Sequence, residues 1–295
     1  MIGRLIQTVS AVAQYQKRMF NDATIAFSTK ADPFDFVSEV DVRSQRMILS
    51  AIERDFPTAG IVAEEVGQDK PSQDGTWFLV DPLDGTANFK AGIPLWAISI
   101  GLVKQGVVDS GIISLPFTGE IFCSTAGVPI AQPLATVLDA QFYGIDSTFE
   151  NVPLAGLTLK RRQLGAAVPT LLWCCDSRHR PRPRLDFALM GKGSFWDVCG
   201  AIAFLKQKGG ALIDATGQDF TECPDVFQAL GGLKGLRTYN FRYVASASKQ
   251  VAQDVYQRYL VVPEKPQLSS RLSTNRNGDM ALTVVNHSEK FEEAT

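Results

Sequence analysis

Apolar residues recur at helical spacing over residues 2–20 (Ile2, Leu5, Ile6, Val9, Val12, Ala13), which predicts a surface helix packed along one face, with no chemistry asked of it. A second helix is expected after Ser38. Ser38 and Asp41 stand three apart like a capping pair, Val42, Ile48, Leu49, Ile52 and Phe56 supply an apolar stripe, and Pro57 ends it. From residue 60 the pattern shortens to strand-like runs: Ile61 to Ala63, Trp77 to Val80, Ala97 to Val103, Val107 to Ser114 and Glu120 to Ser124. Lys104, Gln105 and Gly106, and then Phe117, Thr118 and Gly119, read as hairpin turns, so the last three strands should form an antiparallel meander.

Beyond residue 130 the periodicity weakens, with a helix or strand around Leu154 to Leu164 and a basic, proline-interrupted stretch from Arg178 to Arg184. It returns at Trp196, where Val198, Ala201, Ile202 and Leu205 mark one face of a helix closed by Gly209 and Gly210. A strand at Ala211 to Ile213, another at Tyr243 to Ser248 and a helix from Lys249 to Leu260 follow. After Pro263 the chain is polar, with one apolar patch at Met280 to Val285, and reads as a loosely attached arm. The expected organisation is an N-terminal α+β subdomain over residues 1–130, a C-terminal α/β subdomain over 131–262 and a polar tail over 263–295, without internal repeats.

Composition narrows the chemistry. With 45% hydrophobic residues among 295, the chain can bury a large core, and extended disorder is excluded for most of it. Lys and Arg total 29 against 31 Asp and Glu, which lacks the basic excess of a nucleic-acid binder. His179 and His287 are too few for a multi-histidine zinc site, so any metal should be held by oxygen. Five cysteines without a CxxC pair, and no signal-peptide run, point to a reducing cytoplasm. No apolar run approaches the ~20 residues of a membrane helix.

The densest local signal is Asp81-Pro82-Leu83-Asp84-Gly85-Thr86-Ala87-Asn88-Phe89, directly after an apolar strand. Pro82 fixes a bend, and Asp84 returns to the side of Asp81 before Gly85 and Thr86 turn. Two carboxylates facing one point suit a hard cation, and amides at the start of a following helix suit a phosphate. Taken alone, the run is a well-made turn. Glu64 and Glu65, however, also follow a short apolar strand, and Asp197 opens a helix where its ordinary role would be the N-cap.

In their order along the chain, Glu64-Glu65, the Asp81 to Phe89 segment and the Trp196-Asp197 helix resemble the inositol monophosphatase family of magnesium-dependent, lithium-sensitive phosphatases. Lys30, Asp35, Val37, Ser38 and Asp41 match an early family segment, and Arg162, Gly165, Ala166 and Ala167 a later one; looser similarity runs over about residues 1–260. The resemblance implies a layered α+β fold, an αβαβα sandwich, usually dimeric. It also implies a first Mg²⁺ on Glu64, Asp81 and the Leu83 carbonyl, and a second on Asp81, Asp84 and Asp197. Thr86 bonded to Asp41 would orient and deprotonate the attacking water, Glu65 would support the ligands, and the Gly85 and Thr86 amides would bind phosphate. Gly165, Ala166, Ala167 and Met190, with Asp84, would face the substrate.

The chain departs from the family pattern where substrate is chosen. Met190 stands where inositol-specific members carry a sugar-binding glutamate, so a polyol hydroxyl loses its acceptor there. The stretch between Asn88 and Arg162 is also short for the family. The arginines at 178, 180, 182 and 184 read either as a cationic lip for an anionic substrate or as a solvated loop. Cys174 and Arg180 have the spacing of cysteine phosphatases, but the intervening residues lack glycine and include Asp176, which repels phosphate. Inositol monophosphate, histidinol phosphate, a sugar phosphate or bisphosphate and a 3′-phosphonucleotide all remain candidate substrates. A non-catalytic binding or regulatory protein on the same fold is the competing class.

Overall fold

The computed structural model describes residues 2–30, 36–65, 69–124, 136–146, 159–175, 184–239 and 242–260, together with two strands at 269–274 and 280–285. Helix α1 (Ile2–Met19) buries Leu5, Val9, Val12 and Ala13 along one face, as its spacing demands. Strands β1 (Phe27–Thr29) and β2 (Phe36–Ser38) pair antiparallel and lead into α2 (Glu39–Asp55). Ser38 caps α2 in a reciprocal box with Asp41, as their spacing predicts.

The first sheet has the order β3 (Gly60–Ala63), β4 (Thr76–Asp84), β5 (Ala97–Lys104), β6 (Val107–Leu115) and β7 (Glu120–Cys123). Only the β3–β4 pair is parallel; β5, β6 and β7 form the expected meander. Gln105 and Gly106 both take positive φ (49° and 80°), the requirement of a two-residue turn whose twist matches its strands. Short helix α3 (Thr86–Lys90) joins β4 to β5.

The second sheet has the order β11 (Ala211–Asp214), β12 (Tyr243–Ser246), β10 (Phe187–Met190), β8 (Phe142–Ile145) and β9 (Lys160–Gln163). The ambiguous segment ending at Leu164 is therefore strand where it is described, whereas residues 176–183, with most of the basic stretch, lie outside the described residues, as does Asp35. Helices α4 (Ala167–Cys175) and α5 (Phe195–Lys208) pack between the two sheets, and the largest cluster of buried side chains gathers around them, including Leu79, Ile113, Leu171, Ile202 and Tyr243. Helices α1 and α2 cover the outer face of the first sheet. On the second sheet α8 (Lys249–Val255) does the same, and the helix continues to Leu260 as a wider π-type turn. The order of layers is α, β, α, β, α, the α+β sandwich expected. Two short helices, α6 (Val226–Ala229) and α7 (Gly232–Thr238), fill the connection from β11 to β12.

Close contact between α5 and the first sheet depends on glycine. A Cβ on Gly111 of β6 would lie 2.2 Å from the Gly200 carbonyl, a separation that backbone atoms cannot relieve. Residues 2–260 belong to one compact unit and residues 261–295 to another. In the second unit, β13 (Ser269–Thr274) and β14 (Met280–Val285) pair antiparallel, so the apolar patch foreseen in the arm is a strand. Among the described residues no helix is long and apolar enough to cross a membrane.

Candidate active site

The parity of the strands aims the acidic residues. Phe78 and Val80 of β4 point to the α1–α2 layer, whereas Leu79 points to α5. Asp81, two residues beyond Leu79, therefore shares the α5 face. Asp84, three residues later, would fall on the opposite face of a regular strand. The pairing with β5 shifts between them, so that Asp81 opposes Ser99 and Asp84 opposes Ala97. Three steps on one strand match two on the other, and this bulge returns Asp84 to the face of Asp81. Val62 of β3 likewise faces α5, and Glu64 follows it by two. Asp197 approaches from the first turn of α5 itself.

Each side chain has an internal partner. Lys30 Nζ lies 2.6 Å from Glu64 Oε1 and 3.0 Å from Glu65 Oε1. The Glu65 backbone is clamped by Gln45, whose side-chain amide donates to the Glu65 carbonyl (3.0 Å) and accepts from its N–H (2.9 Å). Asp81 Oδ1 accepts the Leu83 amide at 2.9 Å. Both oxygens of Asp84 accept amides from the start of α4, Ala167 at 3.0 Å and Val168 at 2.8 Å. Asp197 Oδ2 accepts the Ser194 amide at 2.9 Å. The N-cap of α5 is thus Ser194, and Asp197 sits inside the first turn rather than at the cap position, which corrects its ordinary sequence reading. Thr86 Oγ1 lies 2.9 Å from Asp41 Oδ1 and 3.1 Å from the Leu83 carbonyl, with one hydrogen to give. Asp41 Oδ2 is held by the amide of Ser38 at 2.9 Å.

The electrostatics are those of crowded negative charge. Burial, followed by Glu64, Asp84 and Asp197, raises Asp81 well above the usual carboxylate range. Burial raises Asp84 to about 7 against the pull of the two α4 amides, and raises Asp41 to about 6. Glu64 and Asp197 are raised by burial and by acidic neighbours, although each keeps a sliver of solvent contact. Burial opposes the charge of Lys30, but Glu64 and Glu65 more than offset it and raise its pKa. No three acidic, histidine or cysteine side chains among the described residues close around a single point. In donor chemistry, however, Glu64, Asp81, Asp84, Asp197 and the Leu83 carbonyl form an all-oxygen set that fits a hard divalent cation, and one lysine does not balance their charge.

The remaining sequence candidates divide. Gly85 takes φ 96° and opens α3 with no side-chain cap, and its missing Cβ leaves room for Ala166, whose Cβ would lie 3.0 Å away. Asn88 pins the neighbouring segment by donating to the Leu164 and Leu95 carbonyls, both at 2.8 Å. A Cβ on Gly165 would collide with the Asn88 side chain, so Gly165, Ala166 and Ala167 are brought against the acidic loop. Met190 ends β10 opposite Tyr243, buried within the central core. Sequence reasoning missed Gln16. Fully buried on α1, it donates to the Pro82 carbonyl (2.7 Å) and Ser44 (3.0 Å) and accepts from Trp96 (3.1 Å). The first helix, expected to have no chemical duty, supports the acidic loop through this residue. Its polarity within an otherwise apolar helix face was the available signal.

Comparison with known proteins agrees with this architecture. A family model described as the inositol monophosphatase family matches residues 3–134. A probable inositol 1-monophosphatase of Mycobacterium tuberculosis is 29% identical over 259 residues, covering 79% of this chain and 90% of that protein. The Nus factor SuhB of Xylella fastidiosa is 26% identical over 203 residues, 65% of this chain and 73% of the other. A solved IMPase/NADP phosphatase complexed with Mg²⁺ and phosphate superposes with a TM-score of 0.64 at 16% identity, covering 86% of this chain and 95% of that one. In sequence over residues 3–134, and in the order of its layers, the chain is thus similar to the inositol monophosphatase family.

Proposed function

We propose that this protein hydrolyses a small phosphate monoester in a magnesium-dependent reaction that uses water and forms no phosphoenzyme. The observation that carries the reading is the Thr86–Asp41 hydroxyl–carboxylate pair, set beside four mutually repelling carboxylates at the ends of β3 and β4 and the start of α5. Glu64, Asp81 and the Leu83 carbonyl would hold one Mg²⁺, and Asp81, Asp84 and Asp197 a second. When bound, the ions supply Lewis acidity toward the phosphate oxygens and make water a competent nucleophile at neutral pH.

The protein's own groups do the rest. Thr86 Oγ1 accepts a proton from the attacking water while passing its own to Asp41 Oδ1, whose pKa of about 6 suits an acceptor near neutrality. The Gly85 and Thr86 amides, at the uncapped start of α3, bind phosphate oxygens. Glu65 and Lys30 set the position of Glu64. Gly165, Ala166 and Ala167 form a small-residue floor beside Gly85 for the organic part of the substrate; Met190, expected to face the substrate, is instead buried in the central core, so that position presents no acceptor to a polyol hydroxyl, which favours a substrate other than inositol phosphate. None of the five cysteines is in a disulfide, which fits the cytoplasm, and we expect a homodimer.

The likeness to a Nus factor supports a second reading, a regulatory binding protein that keeps the fold without turnover. Phosphate release over a panel of small monoesters, with and without Mg²⁺, separates the two. We expect Mg²⁺-dependent, lithium-inhibited turnover that falls roughly a hundredfold or more in Asp84→Asn. Turnover without a divalent cation, or none on any monoester, overturns the enzymatic reading.

A further inference from the structure

Arg237 belongs to none of the acidic motifs, yet it touches two of them. It lies near the end of α7, in the connection between β11 and β12. Its Nε donates to Asp69 Oδ2 at 2.8 Å and its Nη2 to the other oxygen of the same carboxylate. Nη1 makes a longer contact, 3.4 Å, with the backbone carbonyl of Glu64. The guanidinium carbon stands 5.3 Å from the centre of the Trp196 indole, the residue immediately before Asp197. Only a planar fork makes a bidentate pair, a carbonyl contact and an aromatic contact from one side chain; a lysine ammonium supplies the charge without this geometry.

Asp69 is tied to the same place. Its Oδ1 accepts the amide of Ala63, the last residue of β3, at 3.4 Å, and Lys70 exchanges backbone hydrogen bonds with Ile61. The chain that leaves β3 as Glu64 and Glu65 therefore returns against that strand, and Arg237 grips it where it returns. The Asp69 carboxylate is 43% exposed, so the ion pair itself adds little to global stability. What the contacts do add is a fixed spacing between the Glu64 segment and the first turn of α5.

We infer that Arg237 is a positioning residue for the cation site, holding the Glu64 segment and the Trp196-Asp197 turn in register so that Glu64 and Asp197 can serve neighbouring ions. The inference rests on the proposed cation-dependent reading of the site. Its test is direct titration of the full chain with Mn²⁺, free ion being followed by electron paramagnetic resonance without substrate, for the parent, Arg237→Ala, Arg237→Lys, Asp69→Asn and the Arg237→Ala/Asp69→Asn double variant. Outer residues that orient ligands typically change metal affinity about 10- to 100-fold. We expect about tenfold weaker Mn²⁺ binding in Arg237→Ala, nearly as much in Arg237→Lys, and a double variant no weaker than Arg237→Ala, because the two residues share one interaction. Turnover by Arg237→Ala should recover as Mg²⁺ is raised. Parent-like Mn²⁺ affinity in all variants, with or without a lower melting temperature, would make Arg237 a surface tie and overturn the inference alone. If the parent itself binds no Mn²⁺, the cation-dependent reading falls and takes the inference with it.

Discussion

Thr86 and Gln16 show two ways in which a single polar side chain is committed. Thr86 has one hydrogen, and Asp41 at 2.9 Å and the Leu83 carbonyl at 3.1 Å are its available acceptors. If its role is proton relay, Thr86→Ala should lower kcat by roughly a hundredfold or more with little change in KM, while Thr86→Ser, which keeps the oxygen, retains most of the rate. Steady-state kinetics of the pair checks this, and equal losses in both would remove Thr86 from the relay. Gln16 is committed structurally. Gln16→Leu leaves the Trp96 N–H and the Pro82 carbonyl without this buried partner, which costs about 1–3 kcal/mol. Urea denaturation should show that loss. Thr86 was legible in the sequence because it stands in a dense run of turn-forming and acidic residues. Gln16 was only half legible: its polarity on an apolar helix face marked it, but its partners lie 28, 66 and 80 residues away and no local spacing names them.

At the scale of elements, the contact between α5 and the first sheet separates glycines that serve packing from those that do not. Gly111→Ala would set a Cβ 2.2 Å from the Gly200 carbonyl and force strand and helix apart, a change of the overpacking kind that typically costs 1–3 kcal/mol, about that much here. Gly3→Ala, with nothing within 4 Å of the added Cβ, is the control and should be neutral or slightly stabilising in α1. Midpoints of chemical denaturation distinguish them. The helices α1, α2 and α5 and the strands β3 to β7 were legible because apolar periodicity repeats over enough positions to be unmistakable. Strands β8 and β10 were not; a four-residue strand buried on both faces, such as Phe187–Met190, carries no alternation, and β3, β11 and β12, of the same kind, were read only as short apolar runs. Helix α4 was missed for a related reason: it is apolar almost all round, with seven of its nine residues buried, so it shows no stripe.

For the molecule as a whole, the acidic cluster couples stability to pH and to cations. Asp41 and Asp84 have folded-state pKa values of about 6 and about 7, above the ~4 of an unfolded aspartate. The folded state therefore holds their protons more tightly. The resulting stabilisation is complete below about pH 4 and is lost as pH rises through 6 to 7. In chelator, the melting temperature should fall between pH 5.5 and 7.5, and Mg²⁺ should raise it at pH 7.5 by replacing the missing protons with positive charge. Calorimetry at the two pH values with and without the ion is the check, and a flat profile in chelator would contradict the crowded-charge description of the site.

What the amino-acid order determined by itself is local and periodic: which segments become amphipathic helices, where the meander turns, that Ser38 caps with Asp41, and that Asp81 and Asp84 end a strand with a bend between them. These follow from interactions spanning a few residues, which composition and spacing encode directly. Tertiary structure alone decided that the β4 bulge and the facing turn of α5 put Glu64, Asp81, Asp84 and Asp197 on one side. It also decided that the α4 amides hold Asp84, and that Lys30 and Arg237 reach the Glu64 segment from opposite ends of the chain. Such contacts are set by how layers stack around a common core, and their partners are tens to hundreds of residues apart, beyond any spacing rule.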